Sequence, residues 1–213
     1  MASDVTGQER EGFRLYTQNW ATAAIAAIAF AMACWHLWVA WNGPPNALIF
    51  RAMHLAFLFT LAFLMYPLGK ERNAGYTPSV FDLVLLVIAL SSAIYPIVQY
   101  DYFSTRMYYV DDPVQLDYVF GIAAVLLILE ATRRALGLAL PATAAAFLIY
   151  SLLSEGLDPR DLMLQFNYTL DQLYLTTEGI FGIPLSVSAT FIVLFILFGA
   201  LVERSGAGRL FMD

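Results

Sequence analysis

The sequence predicts an all-α protein: a polytopic transmembrane bundle of about six spanning helices plus one amphipathic interfacial helix. Three observations lead there. Of 213 residues, 60% are hydrophobic and 13% charged, against about 45–50% and about 25% in a soluble domain. The mean hydropathy is +0.67, and so thin a charged coat cannot keep so apolar a body in water. Uncharged apolar runs close to the roughly 20 residues of a membrane crossing recur along the chain. Finally, Lys and Arg alternate from one side of those runs to the other.

Residues 1–19 are polar and are read as a cytoplasmic N-terminal segment. The first run, Trp20 to Trp41, has no formal charge and is longer than the 7–15 apolar residues of a signal peptide. It is read as an uncleaved helix. Asn42-Gly43-Pro44-Pro45 forms a turn into the second run, Ala47 to Leu68, which carries Arg51 and His54 near its start. The third run is Val80 to Val98. Ser79 three residues before Asp82 fits a capping pair. The fourth has only 12 uncharged residues, Tyr118 to Leu129. To span, it must run from about Pro113, with Asp112 as N-cap, to Arg134. Asp117 and Glu130 would then lie near the two headgroup layers.

Gly137 interrupts the pattern before a short fifth run, Leu138 to Leu153. Residues 179–184 introduce a sixth, ending at Val202. Between them Asp158 caps and Pro159 opens an amphipathic helix. Its Leu162, Phe166, Leu170 and Leu173 recur at helical spacing, with Asp161, Gln165, Asp171 and Gln172 on other faces.

Charge sets the orientation. With the N-terminus inside, Arg10, Arg14, Lys70, Arg72, Arg133, Arg134, Arg204 and Arg209 are inner, and only Arg51, Arg106 and Arg160 are outer. That asymmetry satisfies the positive-inside rule. The outer loops are acidic, with Asp101, Asp111, Asp112, Glu155, Asp158, Asp161, Asp171 and Glu178. Trp35, Trp38, Trp41, Tyr100, Tyr102, Tyr108 and Tyr109 supply an outer aromatic belt.

One cysteine and two histidines exclude disulfide frameworks and Cys-based metal sites. A net charge of −6 without a basic patch argues against nucleic acid. Ionisable residues inside spans are the functional candidates. Asp82 is accounted for by capping. Glu130 pairs with Arg133 and Arg134 at i,i+3 and i,i+4, an arrangement read as a self-neutralised interfacial anchor. Arg51 and His54 share a face of helix two, with His36 at matched depth on helix one. That depth would suit a bis-histidine haem, but hydrogen bonding and anchoring is the favoured reading. Ala23, Ala27 and Ala31 form a small-residue ladder that would let another helix approach, or are filler. No catalytic, cofactor-binding or metal residue is assigned.

Four strings, in order, carry a family resemblance: 51–58 (RAMHLAFL) leading to Tyr66-Pro67; 129–134 (LEATRR) with Gly137; 179–185 (GIFGIPL); and 198–208 (FGALVERSGAG). From about residue 20 the chain resembles the fused permease subunit of tripartite ATP-independent periplasmic (TRAP) transporters, of the kind that works with TAXI-class binding proteins. The resemblance implies that residues 20–134 are a four-helix Q-like scaffold and 135–213 the truncated start of an M-like transport part. It also implies uptake of organic anions, carboxylates foremost, with sodium, and delivery by a periplasmic TAXI-type binding protein. The implied setting is a bacterial or archaeal inner membrane, beside the rest of the permease. The family's ligand-binding hairpins would follow this stretch, so no site residue carries over. The rival readings are a haem- or quinone-binding membrane subunit of a redox complex, and a non-transporting assembly subunit.

Overall fold

A computed structural model describes residues 20–68, 78–154, 156 and 158–206. Among them are eight helices and no strand. They are α1 Trp20–Asn42, α2 Ala47–Met65, α3 Val80–Val98, α4 Tyr100–Thr105, α5 Gln115–Leu136, α6 Ala139–Leu153, α7 Pro159–Leu170 and α8 Ile183–Arg204. α7 continues as a π-helical turn, Asp171–Leu175, and α8 contains another, Ser188–Ile192.

Four helices, α1, α2, α3 and α8, are long and apolar enough to cross a membrane. This is a membrane protein. The other two expected crossings differ from these. α5 has 22 residues but carries Asp117, Glu130, Arg133 and Arg134. α6 has 15 residues and at about 1.5 Å each reaches roughly 22 Å, short of a bilayer core.

Local chemistry explains most helix ends. The Asn46 side chain accepts from the Leu48 amide and starts α2. Ser79 and Asp82 form the expected capping box of α3: the Asp82 amide donates to Ser79 Oγ, and the Ser79 amide to Asp82 Oδ2. α2 stops at Met65 rather than Leu68, just before Pro67. α5 begins at Gln115, not Pro113, because Asp117 reaches back to accept from the Val114 amide. The expected N-cap Asp112 makes no cap. Gly137 closes α5 at φ +87°, a left-handed conformation costly for any residue with a Cβ. Asp158 caps α7 through the Arg160 amide, as expected.

The core lies between α2, α3, α5 and the π turn of α7. Phe59, Phe63, Leu86, Ala89, Ala93, Ala124, Leu127, Tyr174 and Phe181 are buried in it. Side-chain bonds fix α2, α3 and α5 as an up-and-down set. Asn46, at the start of α2, donates to the Tyr100 hydroxyl just past α3. Tyr95, near the end of α3, meets Asp117 at the start of α5. Pro96 sits inside α3 and brings no amide to the Ser92 carbonyl four residues back. The buried Tyr174 hydroxyl fills that vacancy, donating to Ser92 O at 2.6 Å.

The Ala23, Ala27 and Ala31 ladder points away from the bundle: all three are exposed. Among the described residues it brings no helices together.

Candidate functional site

The buried polar residues gather into three joints. At the end of the bundle where α3 starts and α5 stops, Arg134 Nη1 donates to Asp82 Oδ1 at 2.6 Å and to the Tyr66 carbonyl at 3.3 Å. Arg134 Nε donates to Glu130 Oε1 at 2.7 Å. The guanidinium carbon stands 5.0 Å over the Phe63 ring. The side chains of Arg134 and Asp82 are 3% and 1% exposed, whereas Arg133, which bonds only Glu130, is 42% exposed. This corrects the anchor reading. Arg133 alone behaves as an interfacial charge; Arg134 is a buried rivet through α2, α3 and α5. Asp82 both caps its helix and holds that arginine. Sequence spacing shows only i,i+3 and i,i+4 partners, so a bond spanning 52 positions was hidden.

At the opposite end, Asp117 is fully buried and accepts from the Tyr95 and Tyr102 hydroxyls at 2.8 and 2.6 Å. It is sealed inside the bundle rather than solvated. Burial first, then the Asp117 carboxylate, push the Tyr102 phenol up to about 12. Beside it Arg106 Nη1 pairs with Asp171 Oδ1 at 2.5 Å, their side chains 1% and 3% exposed. Burial opposes the Arg106 charge, and the Asp171 hydrogen bond and charge outweigh it, leaving the guanidinium more firmly protonated than usual. Asp171 Oδ2 also accepts from the Tyr109 amide at 2.8 Å. That bond holds Tyr109 at φ +61°, where a side-chain-bearing residue stores about 1–2 kcal/mol. Neither Arg106 nor Asp171, both expected in outer loops, is solvated. α7 packs on the bundle through Leu170, Tyr174 and Leu175, while Leu162 and Phe166 stay half-buried.

The third joint ties α1 and α2 to α8. His36 Nδ1 lies 2.7 Å from the Met32 carbonyl, His36 Nε2 3.0 Å from His54 Nδ1, and His54 Nε2 3.0 Å from Ser188 Oγ. His36 and His54 are 2% and 0% exposed. One turn before His54, Arg51 Nη1 donates to the Phe181 carbonyl at 2.7 Å and more distantly to that of Thr177. The segment it grips is folded tightly: a Cβ on Gly179 would stand 2.2 Å from the Gln172 carbonyl, and one on Gly182 2.5 Å from that of Glu178. Both positions therefore require glycine.

The expected companions Arg51, His54 and His36 do come together, as hydrogen-bonding groups. They do not fit a bis-histidine haem. Two axial nitrogens stand about 4 Å apart, twice a metal–nitrogen bond of about 2 Å, with the macrocycle between them. Here the facing nitrogens are 3.0 Å apart and the rings meet edge to face. Among the described residues no group of three His, Cys, Asp or Glu side chains could hold a metal ion. Lys70, Arg72, Glu155 and Arg209 lie outside the described residues.

Comparison with known proteins finds no family model, curated protein or solved structure that matches the chain.

Proposed function

We propose that the chain is the scaffold portion of a TRAP-type secondary transporter. In this reading residues 20–134 are the fixed Q-like body and 135–213 lead into an M-like transport part. The permease sits in a bacterial or archaeal inner membrane with the N-terminus of this chain in the cytoplasm. It imports organic anions, carboxylates foremost, with sodium, from a periplasmic TAXI-type binding protein. One observation carries the reading: three of the strings behind the resemblance meet in space as joints. Arg51 of the first string grips Phe181 of the third. Arg134 of the second reaches the carbonyl of Tyr66, which follows the first, and also Asp82. Arg51 and Arg134 are fasteners between helices, which suits a body against which something else moves.

The test is uptake of labelled carboxylates into proteoliposomes. A permease containing this chain should accumulate them only with both a TAXI-type binding protein and an inward sodium gradient. Uptake without the binding protein, or without the sodium gradient, would overturn the proposal.

A further inference from the structure

The hydrogen-bond directions in the histidine joint are fixed by its closed end. A carbonyl can only accept, so His36 Nδ1 carries a hydrogen toward Met32 O. In a neutral ring Nε2 is then the acceptor, and the hydrogen between the rings belongs to His54 Nδ1. His54 Nε2 is left as an acceptor, and Ser188 must donate to it. The neutral chain therefore runs one way: Ser188 to His54 to His36 to Met32.

One added proton fits without turning either ring. It arrives at His54 Nε2, which then donates to Ser188 Oγ. The hydrogen between the rings can stay on His54 Nδ1 or pass to His36 Nε2, so the cation is shared. A second proton cannot fit. It would put N–H groups on both His36 Nε2 and His54 Nδ1, two donors facing each other across 3.0 Å.

We propose that His36, His54 and Ser188 form a binding site for a single proton, with Ser188 as its gate and reporter. Ser188 is the half-buried member of the three, so the proton passes on its side, while both rings are closed off. It is also the first residue of the π turn of α8, whose carbonyl accepts from the Val193 amide. On protonation the Ser188 hydroxyl changes from donor to acceptor on His54. Its own hydrogen is freed for the helix carbonyl four residues back, a bond that bends helices. Proton occupancy is thereby read by the backbone of α8.

The charged groups around the site do not compete for that role. α1 has none, and Phe50 and Phe57 of α2 flank His36. Arg51 of α2 lies one turn from His54, engaged with carbonyls of the 177–181 segment, where Glu178 is exposed. α3 and α5 also pack on α2, and their acids are tied at the two ends, Asp82 to Arg134 and Asp117 to Tyr95 and Tyr102. On α8 the charged residues, Glu203 and Arg204, are about four turns beyond Ser188.

The chain has two histidines, so nitrogen-15 histidine labelling of the bilayer-embedded protein gives a spectrum of these two rings alone. It would be followed from about pH 9 to about pH 4, a window bracketing an ordinary imidazole. Expected are Nδ1–H tautomers in both rings at high pH. A single step should then move both rings together and total one proton. In a second, uniformly nitrogen-15-labelled sample, the amide signals of Ser188–Ile192 should shift with the same midpoint. An Nε2–H tautomer in either neutral ring, two separate one-proton steps, rings that never titrate, or α8 amides that stay still while the rings titrate would each overturn the site.

Discussion

Two arginines one position apart have opposite fates. Arg133 is 42% exposed with one partner, and Arg134 is 3% exposed with three. Removing one side of a buried pair strands the other, at about 3–5 kcal/mol. Arg134→Met should therefore lower stability in detergent by about that amount, read by thermal or denaturant unfolding. Arg133→Met should leave the midpoint nearly unchanged, and equal effects would refute the rivet. Tyr102 supplies a pH test. Its phenol, raised by burial and Asp117 to about 12, keeps its proton in the fold at pH values where an unfolded tyrosine, near 10, has lost it. The folded state binds more protons in that window, so stability is fully present below about pH 10 and falls as pH rises through about 12. Tyr102→Phe should flatten that alkaline limb.

Among the elements, α3 and the π turn of α7 depend on each other through Tyr174 and the carbonyl that Pro96 leaves unpaired. Tyr174→Phe should cost about 1–3 kcal/mol, the penalty of a buried unsatisfied acceptor. Pro96→Ala brings an amide back to Ser92 and should recover much of that loss, so a double-mutant cycle measures the coupling. Additive effects would show that the hydroxyl does not serve the carbonyl that Pro96 leaves unpaired. The elements themselves were legible in the sequence: the Ser79–Asp82 box, the Gly137 stop, the Asp158-Pro159 opening and the extent of α3 all follow from local rules. The site was half legible. Arg51, His54 and His36 stand out because polar residues are costly inside apolar runs. Asp117 and Arg134 sit at run ends, and Arg106 and Asp171 between runs, where local pattern favours solvent. Burial came from partners 15 to 68 positions away, which no local window registers. The π turns left no sequence mark.

For the whole molecule, the proposed orientation is open to chemical labelling. With Cys34, itself exposed, replaced by Ser, a cysteine at Asp111 should react with a membrane-impermeant thiol reagent in intact cells. One at Arg72 should react only after the cells are opened, and the reverse pattern would invert the orientation. Asp111 adjoins Arg106, whose guanidinium bonds the Asp111 carbonyl; the cysteine keeps that carbonyl. A last consequence follows from the rivet and concerns how the protein is made. α5 carries Asp117, Glu130, Arg133 and Arg134, and charged residues resist membrane insertion by up to about 2.5–3.5 kcal/mol each at a helix centre. Asp82, which neutralises Arg134, and Tyr95, which donates to Asp117, are on α3, synthesised earlier. α5 is thus a poor candidate for leaving the translocon alone, and a good one for doing so against a helix already waiting beside it. Birth order along the ribosome becomes part of the folding code: an α5 tested alone as an insertion segment should slip through to the far side, and should be retained once α3 precedes it.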